Sequence, residues 1–587
     1  MRRWVVLLGI AVVLAMVGGF IGYLAQTSGS TIEVRDVRFM GSNDLEMSAL
    51  LYIPKGVNAE NPAPGIVAIH GYINSREEQD GFAIEYARRG FVVLAPDQTG
   101  HGYSDPPAFA NGFGGPDSLA YLRSLDFVDT ENIGLEGHSM GGWAVGTAAS
   151  VYPDDYKAIV LAGSSTGTFG VPEGTPEWPR NFALIESEWD EFAPFMWGAN
   201  TAPEIVDTQK LQTLFGTDQA VVIGQLYGSI ADGTARILYQ PRTTHPGDTI
   251  SSAAIADAVG WFQQTLDGAN DLDPNDQVWQ WREIGGFIGL LGMILALFPL
   301  GALLLEVPYF KELAEPMPAF KGLKGGGWWI GAALLVVIPI VTYYWFQNQG
   351  YVWFPVGSFW PQQLTTGIVT WALGNGLISL VLFYLWHRFL NKKAGGSTDA
   401  YGLTWTGRLA WRKIGKALLL AVAIIVPAYG LLLISASIFL VDYRLWVLAF
   451  KPMDSLQFGM MLAYLPFFGA FFLMLSTVLN GELRRVDAEG NPIGLDWQML
   501  INAVLMVIGF VALLLIQYIP LLSGGTMPLA EPLLSIVAFQ FVPLMIFVGL
   551  LLTFYFYKTG RIYTGAFLVA ILITWYIVAG QATHFGF

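Results

Sequence analysis

The chain of 587 residues contains no cysteine. That absence excludes a disulfide framework, a thiol nucleophile and any cysteine-ligated metal centre. Charge is scarce too: Asp, Glu, Lys and Arg together make up 13% of the residues, while 53% are hydrophobic. Ordinary soluble domains carry about a quarter charged residues, so much of this chain is too apolar for water. Histidine is rarer still, at six residues, which lets imidazole chemistry be traced by elimination. Over one stretch the scarce sign is positive. Residues 26–283 hold 35 acidic and 13 basic side chains, a net of −22, whereas the rest holds 11 and 18, a net of +7. An acidic, water-compatible segment is therefore joined to apolar segments with basic flanks. Its acidity argues against a nucleic-acid partner, because phosphate backbones are bound by Lys and Arg.

Long apolar runs are what the chain has in quantity. Trp4 to Ala25 is uncharged, follows Arg2 and Arg3, and has the length of a membrane crossing. It is longer than the apolar core of a usual signal peptide, so residues 1–25 are expected to form an uncleaved anchor. Eight further runs lie at 284–305, 327–346, 364–388, 414–440, 457–479, 498–521, 532–557 and 562–583. With the N-terminus inside, the inner loops would hold Lys311, Lys321, Lys324, Lys392, Lys393, Arg408, Arg412, Lys413, Arg484, Arg485, Lys558 and Arg561. The outer loops would hold only Arg444 and Lys451. This is the bias of the positive-inside rule. The expected protein is thus a multi-pass cell-membrane protein, with an all-α membrane domain over 284–587 and an extracytoplasmic domain over 30–268. The linker between them, 269–283, is rich in Asp, Asn and Pro.

Within 30–268, apolar strand-like runs alternate with helical ones. Strands are expected at Thr31–Met40, Leu45–Ile53, Gly65–Ile69, Phe91–Ala95, Asn132–Glu136, Ala158–Ala162, Phe182–Ile185 and Ala235–Tyr239. Helices are expected at Gln79–Arg89, Pro116–Ser124, Met140–Tyr152 and Ser251–Leu266. Two strands in hairpin order followed by βα units imply an α/β domain with a mostly parallel, eight-stranded sheet covered on both faces.

The chemistry centres on Gly137-His138-Ser139-Met140-Gly141, where an apolar run gives way to a run of small residues. In a strand–turn–helix setting, Gly-x-Ser-x-Gly holds the serine on a sharp turn with its hydroxyl exposed. Serine needs a base to take its proton, and imidazole has the right affinity near neutrality. Of the six histidines, His387 and His584 lie at ends of membrane runs, His70 and His101 precede glycines in loops, and His138 is inside the motif. His245 remains, just after the last strand. The imidazole in turn needs an acid to fix its tautomer. Asp190, in the loop following Phe182–Ile185, is the best placed; Glu186, Glu188 and Glu191 are alternatives beside it. Backbone N–H groups of Tyr72 and Met140 are candidate donors to an oxyanion.

At this point residues 31–268 resemble the α/β-hydrolase family. The oxyanion His-Gly appears as His70-Gly71-Tyr72, and the family's next loop as Asp97-Gln98-Thr99-Gly100-His101-Gly102-Tyr103-Ser104. The acid and base follow the elbow in the family's order. Two departures stand out. The acid follows Glu-Ser-Glu-Trp where a glycine is common, and the short connection between Ala158–Ala162 and Phe182–Ile185 leaves little room for a cap. Asp97 and His101 are expected to hold a loop rather than to react.

The resemblance implies a serine hydrolase, most simply of carboxylic esters, with no metal and no cofactor. A small-molecule or lipid ester is the expected substrate, and membrane lipids the expected surroundings. Acyl transfer or peptide cleavage by the same triad, and a transporter or channel whose soluble domain gates or processes cargo, are the competing functions. Few ionisable groups lie inside the apolar runs, which weighs against coupled transport. Phe192 to Trp197 and the loop Tyr351 to Trp360 are both apolar and aromatic, and together would suit a dry acyl pocket.

Overall fold

The computed structural model describes residues 1–487, 489–580 and 583–586. An eight-stranded sheet forms the centre of the soluble lobe: β1 (Ile32–Met40), β2 (Glu46–Pro54), β3 (Ala63–Ile69), β4 (Val92–Pro96), β5 (Val128–His138), β6 (Ala158–Ala162), β7 (Phe182–Ile185) and β8 (Arg236–Tyr239). Their order across the sheet is β1-β2-β4-β3-β5-β6-β7-β8. β1 and β2 pair antiparallel, β2 meets β4 antiparallel, and all other pairs are parallel.

The strand sequences explain this layout. β3 and β6 are buried along their whole length, as interior parallel strands covered on both faces must be. β1 carries Arg35, Asp36 and Arg38 and is mostly open to solvent, which suits an edge that must not recruit another strand. Side chains alternate between the two faces. Val67, Ile69 and Leu135 pack under α3 (Gly115–Arg123) and α4 (Met140–Val151). Ile66, Ala68 and Val160 pack against α2 (Asp80–Arg88) and α5 (Ser252–Thr265). The connection from β6 to β7 holds no long helix. A longer excursion, residues 186–235, follows β7 and carries the short helix Ala193–Met196.

The helical lobe contains α1 (Arg2–Gln26), α6 (Gln280–Leu304), α7 (Gly325–Val341), α8 (Tyr343–Trp353), α9 (Gln363–Trp386), α10 (Trp411–Phe439), α11 (Ser455–Ser476), α12 (Leu495–Leu522), α13 (Pro532–Thr559) and α14 (Tyr563–Gly580). Among the described residues, eight helices are long and apolar enough to cross a membrane, or nine if the bent pair α7 and α8 counts as one. The run expected at 327–346 as one span is bent by 50° between α7 and α8. Pro339 lies one turn before the break and removes the N–H that would bond a carbonyl in the preceding turn. Thr342 marks the break and returns its hydroxyl to Ile338 O at 2.8 Å. Helix α14 is buried almost throughout.

Small residues bring α1 and α6 into backbone contact. A Cβ on Gly18 would lie 2.3 Å from Gly289 N, and one on Gly285 would lie 2.5 Å from Gly22 N. Any larger side chain would force the pair apart, which is the packing rule of helices in apolar surroundings.

Between α10 and α11 a short hairpin, β9 (Tyr443–Leu445) and β10 (Leu448–Phe450), reaches into the soluble lobe. Buried ion pairs close the seam there. Arg444 Nη1 reaches Glu78 Oε2 at 3.2 Å and its Nη2 reaches Asp442 Oδ2 at 2.7 Å. Lys451 Nζ binds Glu77 Oε2 at 2.6 Å. Arg282 of α6 spans Asp442 at 2.7 Å and Asp80 at 3.0 Å.

Candidate active site

β5 ends at His138 and α4 begins at Met140, so Ser139 alone makes the turn, with φ +53° and ψ −120°. A non-glycine residue at positive φ is strained, and the flanking glycines make the strain affordable sterically. A Cβ on Gly137 would sit 2.2 Å from Gly141 O, and one on Gly141 would sit 2.0 Å from Ile69 O. Both glycines are therefore required by close approach of backbone.

His245 stands after β8, in the loop leading into α5. Its Nε2 lies 2.9 Å from Ser139 Oγ, and its Nδ1 lies 2.7 Å from Asp190 Oδ2. A carboxylate can only accept, so Nδ1 carries the proton and the Nε2 lone pair faces the serine hydroxyl. The four acids around residue 190 separate cleanly by position. Asp190 meets the imidazole and also accepts from Phe192 N at 2.7 Å. Glu191 accepts instead from the backbone N of His245 at 2.8 Å. Glu186 accepts from Trp197 Nε1 at 3.2 Å, and Glu188 pairs with Arg242 at 3.0 Å.

Burial disfavours a charged His245, but Asp190, helped by Glu191 and Asp248, outweighs it and raises its proton affinity above that of an ordinary histidine. Burial draws His138 down to about 3, with His245 adding repulsion, so His138 stays neutral. Its Nε2–H donates to His245 O at 3.0 Å and holds the loop. Burial pushes Glu191 up to about 7, with the charge of Asp190 adding to the effect.

The candidate oxyanion donors lie on either side of the serine. Met140 opens α4, where N–H groups have no partner within the helix. His70-Gly71-Tyr72 runs beside it: a Cβ on Gly71 would fall 3.1 Å from Ser139 Cβ. His70 fixes that loop, Nδ1–H donating to Gly71 O at 2.7 Å while Nε2 accepts from Gln98 N at 3.1 Å. Asp97 accepts from Arg76 N and Tyr103 N, and His101 Nδ1–H donates to Thr99 O. Both are buried and hold backbone in place.

Ser139 opens into a cavity of about 410 Å³. From the soluble lobe Tyr72, Phe109, Trp143, Phe192, Phe195 and Met196 line it. From the helical lobe come Tyr351, Gln363, Leu364, Val447, Leu533 and Ile536. The cap missing between β6 and β7 is thus supplied by helices hundreds of residues away. Tyr351, from the apolar loop 351–360, and Phe192, Phe195 and Met196, from the apolar run 192–197, meet here. Leu364, Val447, Leu533 and Ile536 had no local signal. Among the described residues no group of three or more His, Asp or Glu is arranged to hold a metal ion.

A family model for the alpha/beta hydrolase fold matches residues 64–224, which include Ser139 and Asp190. With the sheet order above, this decides the fold. The chain carries an α/β-hydrolase domain. Similar curated proteins include an uncharacterized protein of Mycobacterium tuberculosis, 31% identical over 143 residues, covering 23% of this chain and 39% of that protein. The 2-hydroxymuconate semialdehyde hydrolase of Pseudomonas sp. (strain CF600) is 28% identical, covering 30% of this chain and 51% of that enzyme. The monoacylglycerol lipase of Mycolicibacterium smegmatis is 32% identical over 18% of this chain and 38% of its own. The chain therefore spans about two fifths to one half of the length of these relatives. A hydrolase crystal structure from Thermoplasma acidophilum is 16% identical, covers 40% of this chain and 99% of its own, and gives a TM-score of 0.28. All of these similarities are partial in this chain, and the α/β-hydrolase domain is followed here by some 300 residues of helical lobe.

Proposed function

We propose that this protein is a membrane-embedded serine ester hydrolase, in which Ser139, His245 and Asp190 act on a substrate with an apolar acyl group. The observation that carries the reading is the Asp190–His245–Ser139 chain of contacts at 2.7 and 2.9 Å, opening into an apolar cavity shared with the helices. Ser139 Oγ attacks the ester carbonyl while its proton passes to His245 Nε2. The carbonyl oxygen, now negative, is received by the N–H groups of Tyr72 and Met140. Collapse expels the alcohol, which takes the proton from His245, and leaves an acyl-enzyme. Water then repeats the sequence, losing its proton to His245 and releasing the acid.

Membrane embedding is supported by the eight long apolar helices. An outward orientation is supported by where basic residues fall. Arg444 and Lys451 lie at the end of the helices that meets the hydrolase domain, each paired with its carboxylates. The remaining basic loops flank the opposite ends. In this reading the lipid-facing lobe roofs the active site, and an ester with a fatty chain is the substrate class that fits.

Two experiments test the proposal. The full-length protein in lipid nanodiscs should react with a fluorophosphonate and hydrolyse p-nitrophenyl acyl esters, and Ser139→Ala should do neither. Absence of labelling in the wild type would sink it. Because the chain has no cysteine, single introduced thiols report sidedness. In intact cells an impermeant maleimide should modify Asp126→Cys on the hydrolase surface and spare Lys392→Cys.

A further inference from the structure

The helical lobe does more than roof the cavity. It holds the loop that carries the candidate base, and it does so at two points. Tyr518 of α12 donates its hydroxyl to Glu191 Oε1 at 2.7 Å, while Glu191 Oε2 accepts from His245 N at 2.8 Å. One carboxylate thus bridges a helix of the helical lobe and the backbone of His245. One residue further on, Trp446 of the hairpin donates its indole N–H to Pro246 O at 2.9 Å. The two grips are joined. Phe539 of α13 lies between them, its ring 4.8 Å from that of Tyr518 and 5.4 Å from that of Trp446. Three aromatic rings from three separate elements therefore form a row ending on the 190–191 and 245–246 loops. Neither Glu191, Tyr518 nor Trp446 lines the cavity, so none of them is positioned to touch substrate.

We propose that Glu191 and Tyr518 are positioning residues for His245: the hydroxyl holds the carboxylate, and the carboxylate holds the imidazole's backbone and favours its charged form during catalysis. The inference rests on the assignment of His245 as general base. Its physical content is electrostatic as well as steric. The groups facing His245 are Asp190 on one ring nitrogen, Glu191 at its backbone, Asp248 on its own loop, and neutral His138 from β5, with Glu186 behind Asp190. Tyr518 and Trp446 bring no charge from the helical side. A hydroxyl donor favours the ionised carboxylate. Replacing Tyr518 by Phe removes that donor, so Glu191, already pushed up to about 7 by burial, binds its proton more readily still and less of its negative charge remains beside His245 near neutral pH. His245 then binds a proton less tightly. Since the base must be neutral to act, the acid limb of the pH profile moves to lower pH, while the less firmly held ring lowers kcat.

The test uses the full-length protein in nanodiscs with a short p-nitrophenyl ester and compares Tyr518→Phe, Glu191→Gln and Trp446→Phe with wild type. Tyr518→Phe and Glu191→Gln should each shift the acid limb of kcat/KM down by roughly half a unit to one unit. Loss of one such hydrogen bond should lower kcat about three- to ten-fold, with KM unchanged. Trp446→Phe should lower kcat similarly without moving the limb, because it carries no link to the carboxylate. Tyr557→Phe, which removes a hydrogen bond to Ile493 O near the opposite end of α13 from Phe539, should match wild type in rate and profile. Wild-type profiles in both Tyr518→Phe and Glu191→Gln would overturn the inference while leaving the hydrolase reading intact. A shift equal to theirs in Tyr557→Phe would also overturn it, by showing a general loosening. Failure of the wild type itself to label or turn over would instead strike the hydrolase reading.

Discussion

The interior of the helical lobe and the seam between the lobes bury polar groups in opposite ways. Inside the helices the buried groups are mostly neutral. Asn502 Nδ2 donates to Thr553 Oγ1 at 2.8 Å, Gln517 Nε2 to Ser535 Oγ at 3.0 Å, and Asn375 Nδ2 to Trp371 O at 2.9 Å. At the seam they are charged, with Arg282, Arg444 and Lys451 set among Glu77, Glu78, Asp80 and Asp442. A neutral amide can change partners at small cost, whereas a buried charge without its counterion is strongly destabilising. The helices are thus held together by forgiving contacts, and the two lobes by contacts that tolerate little displacement. Tight registration matters at the seam because the cavity at Ser139 is completed there.

Breaking the site itself should give the largest effect. Asp190→Asn keeps the shape but removes the negative charge that fixes the His245 tautomer, and kcat should fall about a thousand- to ten-thousand-fold in steady-state assays. In the wild type the acid limb of kcat/KM should lie above the ordinary histidine value, because His245 holds its proton more tightly than usual and is inactive while it does. Activity therefore rises with pH through that limb; a limb below the ordinary value would contradict the role of Asp190.

Next comes the seam. Arg444→Met leaves buried Glu78 without its cation and Asp442 with Arg282 alone, and unfolding of the full-length protein should show a loss of about 3–5 kcal/mol. A change below about 1 kcal/mol would mean the ion pairs do not bind the lobes. A smaller effect is expected at the roof. Leu533→Trp should reduce the ratio of long-chain to short-chain ester kcat/KM by roughly ten-fold, as pocket contacts of this size do. Equal losses on all chain lengths would show that the helices do not meet the acyl group. The contrast is sharpest at the low end. Asn375→Leu, within the helical interior, should cost only about 0.6 kcal/mol. A cost as large as that of Arg444→Met would erase the distinction between the two regions.

Much of the sheet was legible because its interior strands are short apolar runs between turn residues. β6 falls at the expected Ala158–Ala162 and β7 at Phe182–Ile185. β5 proved longer than its apolar run, since Val128 and Asp129 pair with Ala63 and Pro64 of β3 ahead of a register shift, a pairing that side chains do not advertise. The contacts of Ser139, His245 and Asp190 join residues found by motif, elimination and order. The alternatives around Asp190 were indistinguishable in sequence because four acids within six residues share one composition. Only the turn of the loop separates them. Tyr518 and Leu533 carry no mark of their relation to the site: Tyr518 meets Glu191 across 327 residues of chain. A single sequence holds no record of such pairings, and an aromatic or leucine in an apolar helix reads as packing.

The contact between α1 and α6 has a consequence for how the molecule is built. The whole hydrolase domain leaves the first helix and returns in the sixth, and the two touch backbone to backbone at Gly18, Gly22, Gly285 and Gly289. The domain is therefore an insertion in a helical hairpin, moored at both ends to one spot, and it cannot swivel as a singly tethered domain would. During synthesis α1 must wait, its glycine face unpartnered, until some 250 residues have been made and α6 emerges to meet it. Lesions that delay the α/β-hydrolase domain would be felt first as loss of the N-terminal helix from the helical lobe, at a distance from any damaged residue.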